Sequence, residues 1–303
     1  RAQRFDRNFL YFGAELDALG EFAERLLTMN GELPQQKVYQ QDDFSLYRQS
    51  PPDIIYSPYY KRPISMSEIA FKLAPGVSTS DASSTLQRLS HMKSFFSRAV
   101  KNLGPEYSQI APDEKIVESG GTVTGIYIGT QDGVFGYFPG NRHFPPEYDP
   151  RRRPWYISGS SAALPRWGRS YLSPSGAGIV IPCARRLQNE TAKTIGVIGM
   201  EISHERIRSL LDTSRNGERK YLVTADGLLV LTDHPMKSGT VNVRNDGLLE
   251  PRHFALSREL AEIIKESPDG GARVLGKEYL IVAKLQSLNL YYVETIPLAN
   301  PAI

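Results

Sequence analysis

Residues 148–156, YDPRRRPWY, set three adjacent arginines against a Pro-Trp-Tyr. A solvated basic turn has no need of the tryptophan, and a core segment does not tolerate the arginines. The combination points to one arginine turned inward to hold a small anionic group. Arg153 can meet a carboxylate as a bidentate fork that lysine cannot reproduce, each charge-assisted hydrogen bond contributing roughly 1.5–3 kcal/mol. The Trp155 indole N–H is a pure donor that can serve the same carboxylate. Arg151 and Arg152 read as solvated, or as paired with Asp149 or Glu147.

A matching negative charge stands on a later apolar segment, 196-GVIGMEIS-203. In a strand, alternate side chains share a face. Ile198, Met200 and Ile202 fall on one side as core, and Val197, Gly199 and Glu201 on the other, with Gly199 leaving space beside the carboxylate. Such a site suits an ammonium group, and the ring faces of Tyr148, Tyr156 or Trp155 add cation–π attraction of ~0.5–2 kcal/mol. An amino acid carries both charges, and taking each out of water costs several kcal/mol unless it is matched. Taken alone, Arg153 is equally compatible with a structural ion pair to Glu201.

Other chemistries find less support. His91, His143, His204, His234 and His253 lack paired metal-ligand spacing and are expected in surface or capping roles. The run 173-SPSGAG-178 is neither a nucleophile elbow nor a phosphate loop, and reads as a turn. No triad or carboxylate pair for hydrolysis stands out, so no enzymatic activity and no cofactor are expected. Cys183, the single cysteine, reads as a small buried apolar residue and excludes an internal disulfide. The 36 basic and 33 acidic residues are interspersed, which gives no broad field for nucleic acid.

The elements that must position these residues follow from periodicity. Phe5, Phe9, Phe12, Leu16, Leu19, Ala23 and Leu26 step by three and four, predicting one helix of about 25 residues, ~38 Å long, ended at Asn30-Gly31. Residues 31–80 predict an irregular wrapping segment with short strands. A second helix is expected from a Ser80-Asp81 cap through Leu86, Leu89, Phe96, Val100 and Leu103 to Gly104-Pro105. From residue 115 the period changes to two. The hairpin 124-TGIYIGT-130, Gln131-Asp132-Gly133, 134-VFGYF-138 recurs about 94 residues later as 220-KYLVT-224, Ala225-Asp226-Gly227, 228-LLVLT-232. Strands are expected at 178–187 and 194–203 after the first hairpin, at 272–285 and 290–296 after the second, and a short helix at about 203–211 between the copies. Two antiparallel sheets, each backed by helix, are the architecture this repeat implies.

With this layout the sequence resembles the double Cache family, extracytoplasmic sensor domains of bacterial chemoreceptors and signalling kinases with relatives in calcium-channel auxiliary subunits. The resemblance covers most of the chain. The amino-acid-binding subgroup of that family has a spaced signature that Tyr148, Arg153, Trp155, Tyr156 and Tyr171 meet in type and order, while Glu201 stands where an aspartate is usual. The resemblance implies an α+β fold: a stalk helix and linker (1–44), a membrane-distal PAS-like ligand-binding module (45–205), a membrane-proximal PAS-like module (206–297) and an exit segment towards a membrane anchor (298–303). It also implies a non-enzymatic, periplasmic or extracellular sensor domain of a membrane-anchored and dimeric receptor, with Tyr148, Arg153, Trp155, Tyr156, Tyr171 and Glu201 as ligand contacts and neither metal nor cofactor. Because glutamate replaces aspartate, a different carboxylate or amine ligand is one alternative expectation. A dimerisation or partner-docking module without ligand is another.

Overall fold

The computed structural model describes residues 1–45, 49–103, 113–174, 178–211, 217–234, 243–244 and 248–298. The apolar stripe at the start forms α1 (Ala2–Thr28), and all seven of its predicted core residues are buried. The chain divides into two units: Phe12–Ser203, and Arg1–Tyr11 together with His204–Ile303.

In the larger unit the wrapping segment supplies four short strands, β1 (Tyr39–Gln40), β2 (Ile55–Ser57), β3 (Arg62–Ser65) and β4 (Ala70–Leu73). The expected second helix is two, α2 (Thr79–Ser90) and α3 (Lys93–Asn102), because the chain tightens at His91 and Met92, whose amides bond three residues back to Arg88 and Leu89. The cap of α2 is Ser78, which accepts from the Asp81 amide at 3.2 Å, two residues before the expected position. The expected stop at Gly104-Pro105 lies outside the described residues.

There follow α4 (Asp113–Ser119), the hairpin β5 (Gly125–Thr130) and β6 (Val134–Phe138), β7 (Gly140–Asn141), α5 (Pro154–Ser160), β8 (Arg166–Trp167), β9 (Tyr171–Leu172), β10 (Ile179–Gln188) and β11 (Thr194–Ser203). The main sheet runs β1-β4-β6-β5-β11-β10-β8, with β9 also on β10, and is antiparallel except for the short β1–β4 pair. A small separate sheet joins β2, β3 and β7.

Register sets the two faces of the main sheet. Opposite Ile126 stands Met200, and opposite Gly125 stands Glu201. Ile126, Ile128, Ile198, Met200 and Cys183 therefore share an apolar, fully buried face. Arg185, on this same face, is 6% exposed and reaches α1, pairing with Asp17 at 2.6 Å and Glu24 at 2.7 Å. Gly20 makes room for it, since a Cβ there would lie 2.5 Å from the Arg185 Nε.

The smaller unit contains α6 (His204–Leu211), β12 (Arg219–Val223), β13 (Leu229–Thr232), α7 (Ser257–Glu266), β14 (Gly270–Leu275), β15 (Glu278–Leu285) and β16 (Leu290–Pro297). Its sheet runs β13-β12-β16-β15-β14, all antiparallel, and the segment 272–285 folds back on itself as β14 and β15. The sequence repeat has a shared turn chemistry. Thr130 Oγ1 accepts from the Val134 amide and Thr224 Oγ1 from the Leu228 amide, each at 3.1 Å. Gly133 (φ 89°) and Gly227 (φ 71°) take the left-handed conformation that glycine adopts without strain, and their amides bond back to the Thr130 and Thr224 carbonyls. The first residues of α1 join this unit: Arg1 pairs with Glu218 at 2.6 Å and with Glu294, and Asp6 accepts from the amides of Gln286 and Ser287 at 3.1 Å.

Candidate ligand-binding site

The face of the main sheet opposite α1 carries Gly125 and Tyr127 from β5, Val197, Gly199 and Glu201 from β11, and Ala184 from β10. Helix α5 packs over β10 and β11 here. Two glycines allow that approach: a Cβ on Gly159 would stand 2.5 Å from Val197, and one on Gly129 2.9 Å from Pro150 and 3.0 Å from Trp155.

The three arginines divide as their backbone does. Asp149 caps a 3₁₀ turn at Pro150–Arg152, accepting from the Arg151 amide at 3.0 Å, and its carboxylate takes the Arg151 side chain at 2.9 and 2.8 Å. That fork holds the Asp149 carboxyl below its usual range. Arg152 is exposed. Arg153 is the extended N-cap residue of α5 (φ −89°, ψ 146°), immediately before Pro154, and its guanidinium carbon lies 5.8 Å from the centre of the Tyr148 ring. Its Nε is buried and has no hydrogen-bond partner among the described residues. A buried, unmatched donor of this kind costs stability unless something accepts from it.

Glu201 is 2% exposed and accepts from the Tyr171 hydroxyl at 3.1 Å and the Ser173 hydroxyl at 3.2 Å. Its position is fixed from below, because its own carbonyl accepts from the Thr124 amide at 2.8 Å and the Thr124 hydroxyl at 3.0 Å. Strand β9 brings in Tyr171 by pairing with β10 at Val180. No ion pair joins Arg153 to Glu201.

Aromatic rings fill the space between these charges. Trp155 packs 4.6 Å from Tyr127, and Phe135 packs 4.9 Å from Tyr148. The room beside Glu201 that Gly199 was expected to leave is taken by the Tyr127 ring, which passes 2.5 Å from where a Gly199 Cβ would be. Burial pushes the Tyr127 phenol well up, and the Glu201 charge adds to this. The Tyr171 phenol is raised by burial and then by Tyr127 and Glu201. The Tyr148 phenol is raised by burial; Trp155 and Arg153 moderate the shift and Glu201 reinforces it, so Tyr148 lies within reach of both charges.

Of the six sequence candidates, Tyr148, Trp155, Tyr171 and Glu201 are buried in one cluster, with Arg153 against its Tyr148 side. Tyr156 is buried beside Trp155 at 5.5 Å, but the charges around its hydroxyl are those of Arg151, Asp149 and Asp132, and its phenol is pushed up to about 12 chiefly by burial. Tyr127 and Ser173 belong to the cluster and were missed by sequence reasoning. A six-residue strand buried on both faces carries no alternation to single out Tyr127, and Ser173 sits just past a two-residue strand. The expectation of surface or capping roles for the histidines fails at His143 and His204, where burial and a neighbouring arginine lower the pKa to about 2 and about 4. Cys183 is fully buried, as expected, and burial pushes its thiol up.

No protein-family model matches the chain. Among curated proteins it is 28% identical over 144 residues to the methyl-accepting chemotaxis protein PctB of Pseudomonas aeruginosa, covering 47% of this chain and 22% of PctB. It is 28% identical over 169 residues to the methyl-accepting chemotaxis protein McpG of Pseudomonas putida, covering 55% of this chain and 25% of McpG. The chain thus spans about a quarter of the length of the curated relatives it matches. A solved structure similar to it is the ligand-binding domain of the Pseudomonas fluorescens chemoreceptor CtaA in complex with L-alanine, 19% identical, covering 59% of this chain and 75% of that one, with a TM-score of 0.41. Over about half of its length the chain is thus similar in sequence to part of two methyl-accepting chemotaxis proteins.

Proposed function

We propose that the larger unit binds a free amino acid, with Arg153 and Trp155 meeting its carboxylate and Glu201 its ammonium group. One observation carries this reading: a buried carboxylate and an arginine with a buried, unpartnered Nε stand on one aromatic cluster without neutralising each other. The carboxylate of a zwitterion would give the Arg153 Nε the acceptor it lacks among the described residues, and its ammonium group would add a charged donor to the hydroxyls already on Glu201. The rings of Tyr148 and Tyr127 exclude water, and a lower local dielectric strengthens each charged contact.

Glutamate in place of the aspartate usual in this family lengthens the side chain by about one bond, ~1.5 Å. Both of its oxygens are within hydrogen-bond reach of the Ser173 hydroxyl, at 3.2 and 3.4 Å, and one also accepts from Tyr171, so the carboxylate is oriented rather than free to fold back on Arg153. The unit Phe12–Ser203 would then be the membrane-distal sensing module, and the domain the extracytoplasmic, dimeric part of a membrane-anchored signalling receptor. The kinship with chemotaxis receptors supports that setting. No helix among the described residues is long and apolar enough to cross a membrane.

Calorimetric titration of the domain with L-amino acids tests the assignment. Arg153→Ala and Glu201→Gln should each weaken binding by about 100-fold while leaving the thermal transition cooperative, since truncating one partner of a buried charged contact costs roughly 2–5 kcal/mol. Binding by Arg153→Ala as tight as by the wild type would remove the site from this face.

A further inference from the structure

The same sheet face has a second polar end, on the β6 side. Tyr137 pairs in register with Tyr127, its ring stacked 6.2 Å away. Its hydroxyl reaches over Gly125, the residue directly opposite Glu201. Against Tyr137 lie the edge of the His143 ring at 5.5 Å and the charge of Arg62.

Both groups are only partly satisfied. Arg62, half-buried on β3, gives its Nε to the Tyr60 carbonyl at 2.8 Å, while its terminal nitrogens form neither an ion pair nor a hydrogen bond with any described residue. The tautomer of His143 follows from its neighbour. Asn141 donates its Nδ2 to the Pro139 carbonyl at 2.7 Å, which turns its Oδ1 towards His143 Nδ1 as an acceptor. Nδ1 therefore carries the proton and Nε2 is a lone-pair acceptor, buried and with no donor among the described residues. Burial and the adjacent Arg62 keep the imidazole neutral.

We infer that Arg62 and His143 form the side-chain end of the site, and that the amino acid it prefers ends in a carboxamide. The inference rests on the amino-acid reading of Arg153 and Glu201. A carboxamide oxygen accepts from the Arg62 guanidinium while its N–H donates to His143 Nε2, so both unmet groups are served together. A carboxylate would serve Arg62 but set an oxygen against the Nε2 lone pair. An aliphatic side chain would serve neither, would leave the buried His143 Nε2 unpaired and would cover the half-buried Arg62 guanidinium without an acceptor, the situation that sites built for a polar substituent reject most strongly.

The test is calorimetry with L-glutamine, L-glutamate and L-norleucine on the wild type, Arg62→Met, Arg62→Lys and His143→Phe, each first checked for a cooperative thermal transition. The wild type should bind L-glutamine at least about 10-fold more tightly than L-norleucine, and more tightly than L-glutamate. Arg62→Met should erase the preference over norleucine, Arg62→Lys should retain part of it, and His143→Phe should erase the preference for amide over acid. Norleucine binding the wild type as tightly as glutamine, or Arg62→Met weakening all three ligands equally, overturns the side-chain inference alone. Failure of the wild type to bind any amino acid overturns the Arg153–Glu201 reading, and this inference with it.

Discussion

The larger and smaller units share a hairpin with the same Thr-x-Asp-Gly turn, and each covers one sheet face with a helix, yet what lies beneath the two helices differs. Under α7 the packing is apolar: Leu260, Ile263 and Ile264 meet Val223, Leu229, Leu280, Val282, Tyr291 and Val293. Under and beside α5 are Glu201, Tyr127, Trp155 and the unpartnered Nε of Arg153. A dry apolar layer gains stability in proportion to the area it removes from water. A layer with buried polar groups gives some of that up, and the return comes only when a ligand completes their hydrogen bonds. On the proposed function, the difference gives cohesion to the smaller unit and recognition to the larger.

The account can be broken first where the apolar layer is densest. Leu260→Ala should destabilise the domain by about 3 kcal/mol, measured by urea unfolding, through lost burial and the cavity left behind. It should leave amino-acid affinity per folded molecule unchanged; a parallel loss of affinity would merge the two roles. In the larger unit the expected order is reversed. Arg153→Ala should lower affinity about 100-fold, by the argument given above for a truncated buried contact, and change the unfolding midpoint little, because its Nε has no hydrogen-bond partner among the described residues.

A smaller effect is expected at α1. Gly20→Ala sets a methyl group against the Arg185 fork to Asp17 and Glu24, and overpacking of this kind costs roughly 1–3 kcal/mol, readable as a lower unfolding midpoint. A stability equal to the wild type would show that the fork adjusts freely. The smallest effects are expected at the outer arginines. The folded-state pKa of Asp149 is depressed by Arg151, so its contribution is fully present above the unfolded value of about 3.8 and is lost as pH falls through the lower folded value. Arg151→Ala should remove that small component from the acid limb of the stability profile without touching ligand affinity. Tyr156→Phe should change affinity less than about 2-fold, since the charges nearest its hydroxyl are those of Arg151, Asp149 and Asp132.

Local pattern carried much of this architecture into the sequence. The step of three and four from Phe5 to Leu26 specified α1, and the two Asp-Gly turns specified both hairpins and their kinship. Alternation in β11 placed Glu201 opposite Ile198, Met200 and Ile202, as the register shows. The division of labour among Arg151, Arg152 and Arg153 was half legible: proximity to Asp149 suggested a partner for the first, while only the extended backbone before Pro154 separates the third. Cross-strand neighbours were not legible. Tyr127 fills the space above Gly199 because β5 pairs with β11 in one register, a long-range fact that neither residue announces. The break at His91 and Met92 also escaped notice, since apolar spacing runs through it without a glycine or proline.

Hydrogen exchange of the domain with and without a saturating mixture of L-amino acids tests the central contrast most directly. The account predicts slowed exchange at residues 148–156, 171–173 and 197–201, and none attributable to ligand at residues 257–266 and 280–293. Protection confined to the smaller unit, or no change in either, would contradict it.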